Sequence, residues 1–288
     1  MDNSTNIRNL IRDAEKLIRR RNRWWWGSMV NYDEISEIYE KIGNLYKLDK
    51  KIELAIKYLL LAIEYAEMEG NNNKYKIYNL TIEISDMYKK LNDCENVKKY
   101  IDKASIVIGE NGDFYKASKI QAELGEYLER EGENKGAIRA YKRSLEYDDK
   151  YIHSIKCLNK IAENKAIKEK YGEAIEKYKE IIKRKGGEKI LWREIPEYCV
   201  SCVICYLCND DIAGAKKLMD KICDEYPNFI GGREEEFCSK IIKEYEKMDE
   251  EEYIKGVKEY DKYKRLNKYR IEMLLRIKNH LKDDDKLL

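Results

Sequence analysis

Apolar residues recur at intervals of three and four along almost the whole chain, which is the period of an amphipathic helix. Ile7, Leu10, Ile11, Ala14, Leu17 and Ile18 mark a first helix from about Asn6 to Arg21. Ile35, Ile38, Ile42 and Leu45 mark a second, with Asp33 in the place expected of its N-cap. From there the pattern repeats. Ala55-Ile56-Lys57-Tyr58-Leu59 is echoed by the segments starting at Asn96, Ala137, Ala174 and Ala215, at intervals of 41, 41, 37 and 41 residues. Each copy has a large residue four positions on (Leu59, Tyr100, Tyr141, Tyr178, Met219) and a smaller or apolar one after eight (Ile63, Ala104, Leu145, Ile182, Cys223). That is one helix face, and a small residue at its start lets a neighbouring helix approach. Glycine and asparagine clusters at Gly70-Asn73, Gly109-Gly112, Gly132-Asn134 and Gly186-Gly187 separate the copies.

This periodicity predicts an all-α fold, a right-handed superhelical solenoid of antiparallel helical hairpins of tetratricopeptide-like type. Pro196 is expected to open a helix at Ile195 or Glu197, and Tyr226-Pro227 to end another. Phe237, Ile241, Ile242, Tyr245, Val257, Tyr260, Ile271, Met273, Leu274, Leu275 and Ile277 then describe a compact helical bundle capping the array. The expected divisions are residues 1–31, a first helix and loop; 32–190, the hairpin array; and 191–288, the bundle with an acidic tail.

One stretch breaks the pattern. Trp24, Trp25 and Trp26 are consecutive, preceded by Arg19, Arg20, Arg21 and Arg23 and followed by Met29 and Val30. No helix or strand can turn three successive indoles to one core. Exposed together they offer about 450–750 Å², at or above the largest apolar patch of an ordinary soluble monomer. Arginines beside tryptophans suit a membrane interface, so the run is read as a membrane contact. The bland alternative folds one or two indoles back onto the first helix pair.

Composition narrows the picture. Two prolines, 15 glycines and 39% charged residues favour long solvent-facing helices. A net charge of +2, from 57 basic and 55 acidic residues, gives no broadly basic footprint, so nucleic acid is not an expected partner. Eight cysteines behind a polar beginning point to a reducing, cytosolic setting, and no run approaches the 18 apolar residues a membrane span needs. Cys199, Cys202, Cys205 and Cys208 have a spacing that invites a metal, but thiols at steps of three along a helix drift around it and do not converge. With two histidines, His153 and His280, and no nucleophile or phosphate-loop motif, neither an enzyme nor a cofactor is expected.

The C-terminal third carries a resemblance. Tyr226-Pro227-Asn228-Phe229, Arg233-Glu234, Val257-Lys258-Glu259-Tyr260-Asp261, Arg265-Leu266 and Met273-Leu274-Leu275-Arg276-Ile277-Lys278 resemble the corresponding run of soluble NSF attachment proteins, particularly the alpha type. The match extends loosely over the rest of the chain. It implies a non-enzymatic adaptor that lies along the four-helix SNARE bundle of syntaxin and synaptobrevin type and presents its C-terminal domain to the hexameric ATPase NSF. It also implies a location in the cytoplasm, peripheral on membranes. The family's membrane loop corresponds to Trp24, Trp25, Trp26, Met29 and Val30, although that loop is richer in phenylalanine. Basic SNARE-contacting positions fall on Lys50, Lys119, Lys156, Lys160 and Arg233, while Asp113 and Pro196 stand where the family is basic. The acidic residues and leucine that meet the ATPase correspond to Asp283, Asp284, Asp285 and Leu287, or Leu288 if the register slips by one. A family cysteine pair matches Cys205 and Cys208, which favours packing over metal. The alternative is a general helical-repeat scaffold for another helical or peptide partner.

Overall fold

The computed structural model describes residues 3–23, 31–70, 73–148, 152–187 and 193–284, and every regular element among them is helical. Contacts divide the chain into two units, Met1–Tyr151 and Ile152–Leu288. The first holds α1 (Asn3–Arg23), α2 (Tyr32–Leu48), α3 (Ile52–Glu69), α4 (Lys74–Lys90), α5 (Cys94–Glu110), α6 (Phe114–Arg130) and α7 (Asn134–Tyr147). The second holds α8 (Ile152–Ile167), α9 (Tyr171–Gly186), α10 (Ile195–Cys208), α11 (Ile212–Glu225), a single 3-10 turn (Pro227–Phe229), α12 (Arg233–Glu246), α13 (Glu250–Tyr263) and α14 (Lys268–Asp284).

In the first unit α2 pairs with α3, α4 with α5 and α6 with α7, and each pair packs on the next. The repeating small and large positions explain why. Ala55, Ala137, Leu59, Tyr100 and Tyr141 are all buried, as are Ile35, Ile42, Ile63 and Ile84 between them. Asn31 caps α2, accepting from the backbone N–H groups of Asp33 and Glu34. The expectation that Asp33 would do so is therefore corrected: Tyr32 is already helical, so the cap falls one residue before it. Asp33 lies in the first turn, where its carboxylate takes Lys76 at 2.8 Å and Asn73 at 3.3 Å.

The paired helices are joined by a recurrent three-residue turn whose middle residue is left-handed. Lys50 (φ 58°), Asn92 (55°), Gly132 (79°), Glu169 (60°) and Asp210 (53°) occupy that place within hairpins. Gly112 (86°) and Met248 (56°) occupy it in two further connections. The residue after each closes the turn by donating its N–H to a carbonyl five positions back, as Asp93 does to Tyr88 at 3.0 Å and Glu133 to Leu128 at 2.8 Å.

The second unit contains two further hairpins, α8–α9 and α10–α11, and is built around α10. Ile195 and every residue from Cys199 to Leu207 are buried, so α10 has to be covered on all sides. α9, α11, α12 and α14 cover it. Within this unit α9 packs on α10, and α8 touches α14. Pro196 opens α10 within its first turn, and α11 ends before Pro227, both as predicted. α14 buries Tyr269, Met273, Leu274, Ile277 and Leu281 but leaves Ile271 and Leu275 exposed. Arg270 fastens it to α10 through the Glu197 carboxylate (2.7 Å), the Glu197 carbonyl (2.8 Å) and Ser201 (3.1 Å). Arg276 donates to the last carbonyls of α8, Ala166 at 3.3 Å and Ile167 at 2.9 Å.

Candidate functional site

Of the expected contact residues, Lys119, Lys156, Lys160 and Arg233 are set on helices. Lys119 is exposed on α6, whose opposite face buries Ala117, Gln121, Leu124 and Leu128. It borders a groove of about 290 Å³ between α4 and α6, with Tyr78, Ile82, Lys89, Tyr115 and Lys116 also in its wall. Lys116 and Lys89 were missed in the sequence; a spacing of three between Lys116 and Lys119 is the signal that would have found the first. Lys116 is committed internally. Its ammonium reaches Asp113 at 2.9 Å and lies 4.8 Å from the Tyr75 ring centroid, and the Asp113 hydrogen bond raises its pKa.

Asp113 is itself the N-cap of α6, accepting from the Lys116 N–H at 3.1 Å and from the Tyr75 hydroxyl at 3.3 Å. Burial works against its charge, but the side-chain and backbone hydrogen bonds from Lys116 outweigh that and hold the carboxyl below its ordinary range. The position where a basic residue was expected is thus used to start a helix. Pro196 is likewise spent on opening α10, where its missing N–H costs nothing.

Lys50 is exposed, at the left-handed position of the α2–α3 turn. It does not line the groove beside Lys119. In the second unit, Lys156 and Lys160 lie one turn apart on α8, Lys156 exposed and Lys160 half-buried with Glu163 at 3.9 Å. Arg233 is the first residue of α12 and is exposed, 3.4 Å from Glu236. Its guanidinium lies 5.6 Å from the ring centroid of Tyr263, the last residue of α13. Thirty residues separate the two, and no local pattern signals the meeting. Lys50 and Lys119 therefore belong to one unit, and Lys156, Lys160 and Arg233 to the other.

Two sets of expected residues lie at the limits of the description. Trp24, Trp25, Trp26, Met29 and Val30 fall outside the described residues, as do Asp285, Leu287 and Leu288. Asp283 and Asp284 are the last two residues of α14. The four thiols of α10 point to four different neighbours. Cys199 meets the Met219 sulfur at 3.9 Å, Cys202 the Ile175 carbonyl at 4.0 Å, Cys205 the Tyr269 hydroxyl at 3.6 Å and Cys208 the Met273 carbonyl at 3.5 Å. Burial pushes the Cys205 and Cys208 thiols up to about 12, far from the thiolate a metal requires. Among the described residues no three His, Cys, Asp or Glu side chains are grouped to hold an ion.

Fold and surface together define a helical-hairpin repeat protein whose distinctive side chains are exposed basic residues beside tyrosines. The chain belongs to the soluble NSF attachment protein family: the family model, described as "Soluble NSF attachment protein, SNAP", matches residues 5–282. It is 27% identical over 258 residues to the alpha-soluble NSF attachment protein of Saccharomyces cerevisiae, covering 88% of each chain. It is 25% identical over 284 residues to that of Homo sapiens, covering 96% of this chain and 95% of the relative. A vesicular-fusion protein of Komagataella phaffii is 26% identical over 262 residues, covering 89% and 87%. Among solved structures, a signal-transduction ATPase with a tetratricopeptide repeat sensor from Pyrococcus horikoshii shows a weaker likeness, with a TM-score of 0.48 at 16% identity over 88% of this chain and 39% of that one.

Proposed function

We propose that this protein is an adaptor in membrane fusion, one that binds assembled SNARE bundles and recruits and stimulates the ATPase NSF to take them apart. The observation that carries the reading is the family match from residue 5 to residue 282, together with relatives matched over nearly their whole length. The chemistry of the surface agrees with it. Lys50, Lys119, Lys156, Lys160 and Arg233 are basic groups suited to an acidic helical bundle, and no helix among the described residues is long and apolar enough to cross a membrane. In this reading the protein works from the cytoplasm, peripheral on membranes. Trp24, Trp25 and Trp26, with Met29 and Val30, contact the bilayer, and Asp283, Asp284, Asp285, Leu287 and Leu288 address the ATPase. The residues do no bond-breaking chemistry; they provide charge and apolar area to partners.

The test is reconstituted disassembly of a SNARE bundle by NSF with this protein as the sole adaptor, on liposomes and in solution. The intact chain is expected to support disassembly in both. Replacing Trp24, Trp25 and Trp26 together by Ser should impair it on liposomes and spare it in solution. Removing Leu287 and Leu288 should leave SNARE binding intact and lower the stimulated ATPase rate. An intact chain that neither binds the bundle nor supports its disassembly would overturn the adaptor reading in favour of a scaffold for another ligand.

A further inference from the structure

On the face of α6 turned away from Lys119, a groove of about 360 Å³ opens between α5 and α7, with Gln121 of α6 at its floor. That volume falls within the range of small-molecule sites, roughly 300–1,000 Å³. The walls carry both signs of charge: Glu95 and Asp102 against Lys98, Lys99, Arg139 and Arg143. Each acid is already held by a base. Lys98 reaches Glu95 at 2.6 Å and also Glu133 at 2.8 Å, and Arg143 pairs with Asp102. Two bases are left over, both exposed. Lys99 has only the ring of Tyr100, 5.3 Å from its ammonium, and Arg139 has no ion pair or ring contact among the described residues. The floor adds an acceptor without a donor. Gln121 is fully buried, and its Nε2 donates to the Asp102 carboxylate at 2.8 Å and to the Ser105 hydroxyl at 2.9 Å. An ionised carboxylate only accepts, which fixes the two ends of the amide. Gln121 Oε1 then has no partner among the described residues, and a buried acceptor is costly to leave unpaired.

We propose that this groove binds a small phosphate ester bearing free hydroxyls, the chemistry shared by an inositol phosphate headgroup and a soluble phosphorylated polyol. The site is independent of the adaptor reading above. Lys99 on α5 and Arg139 on α7 face the same space, one a compact ammonium and the other a planar fork, and both suit phosphate oxygens. The repeat itself assembles this wall: Lys98 and Arg139 are 41 residues apart and stand at the same position of successive copies. The acids and the amide decide what else the ligand carries. A bare anion would meet Glu95 and Asp102 as like charges and would bring no proton to Gln121 Oε1. Hydroxyl groups can donate to the carboxylates and to the amide oxygen alike. A wall of mixed sign over an unpaired acceptor therefore fits a ligand with phosphate on one side and hydroxyls on the other.

The test is calorimetric titration of the full chain with myo-inositol trisphosphate, set beside inorganic tripolyphosphate, which has the charge without the hydroxyls, and myo-inositol, which has the hydroxyls without the charge. The trisphosphate should bind about tenfold or more tightly than tripolyphosphate, and myo-inositol more weakly than either. Lys99→Gln and Arg139→Gln should each weaken the trisphosphate about threefold to tenfold. Lys119→Gln, in the α4–α6 groove, should leave it within about twofold of the intact chain. Helical circular dichroism should be unchanged in all three variants, since the altered side chains are exposed. Vesicles of phosphatidylcholine with and without phosphatidylinositol bisphosphate separate the two sources of the ligand. Extra recruitment by the bisphosphate that Arg139→Gln abolishes assigns the site to a lipid headgroup. Trisphosphate binding without such recruitment assigns it to a soluble ester. No binding of the trisphosphate, or equal losses in Lys119→Gln and Arg139→Gln, would overturn the site. Tripolyphosphate binding as tightly as the trisphosphate would overturn the role given to the hydroxyls and to Gln121.

Discussion

Tyr141 is a large ring with about 1% of its surface exposed, and what allows it to be so is the absence of a side chain at Gly125. A Cβ built at Gly125 would lie 2.4 Å and 2.5 Å from two ring carbons of Tyr141. The ring cannot swing aside cheaply, because its hydroxyl donates to Glu129 at 3.0 Å. Elsewhere in a helix, exchanging Gly for Ala gains about 1 kcal/mol. Here overpacking should reverse the sign, leaving Gly125→Ala less stable by about 1–2 kcal/mol, or roughly 2–8 °C in melting temperature. Gly172→Ala, on α9 with nothing within 4 Å of its new methyl, is the control and should be neutral or stabilising. A thermal melt in which Gly125→Ala matches the intact chain would show that α6 and α7 are not packed as closely as described.

The ends of helices, more than their faces, carry what is particular to this chain. Asp113 both starts α6 and holds Lys116, so the first turn of that helix has an acid where the resemblance leads one to expect a base. Asn caps as well as Asp, so Asp113→Asn should keep melting within about 0.5 kcal/mol while releasing the Lys116 ammonium beside Lys119. An acidic SNARE bundle should then bind about twofold to fivefold more tightly, the range of one exposed charge interaction. Unchanged or weaker binding in a titration would mean that the α4–α6 groove does not meet the bundle.

The same ends show what the sequence could and could not disclose. Helix faces were legible, because Ala55, Leu59 and Ile63 or Ala174, Tyr178 and Ile182 announce a buried stripe by spacing alone. The three-residue turns were legible at Gly112 and Gly132 only. Lys50, Asn92, Glu169, Asp210 and Met248 adopt the same left-handed backbone without glycine, since the packing of the two helices fixes the turn whatever residue stands there. What covers α10 was not legible for a related reason. α10 looks from its composition like the start of a new core, but a helix apolar on every side needs its predecessor, α9, as cover. Candidate site residues came from resemblance, and their neighbours Tyr263 and Lys89 meet them across the fold, at separations no local pattern reaches.

At the scale of the whole molecule the charges nearly cancel, 57 basic against 55 acidic, so near neutral pH global repulsion has little influence on stability. Buried neutral groups decide the alkaline limit instead, and they are concentrated in the second unit. Burial pushes Cys202 and Cys238 well above their ordinary range and Cys205 and Cys208 up to about 12, and it raises Tyr178, Tyr253 and Tyr269 as well. A folded-state pKa above the unfolded one means that the fold favours the protonated form. That contribution is fully present below the unfolded thiol value of about 8.5 and is lost as pH rises from there towards 12. At pH 9.5, about one unit into that window, each such thiol should have given up about 1.4 kcal/mol, whereas the tyrosines, ionising near 10 when unfolded, should have given up much less. The urea midpoint of the helical signal, measured under reducing conditions so that the thiols stay free, should therefore be level from pH 7 to 8 and fall clearly by pH 9.5. In Cys205→Ala/Cys208→Ala the midpoint should start lower, because cavities are left behind, but should fall less steeply with pH. A midpoint that holds its value to pH 9.5 in the intact chain would mean that the thiols along α10 meet water, and that α10 is not the covered centre of its unit.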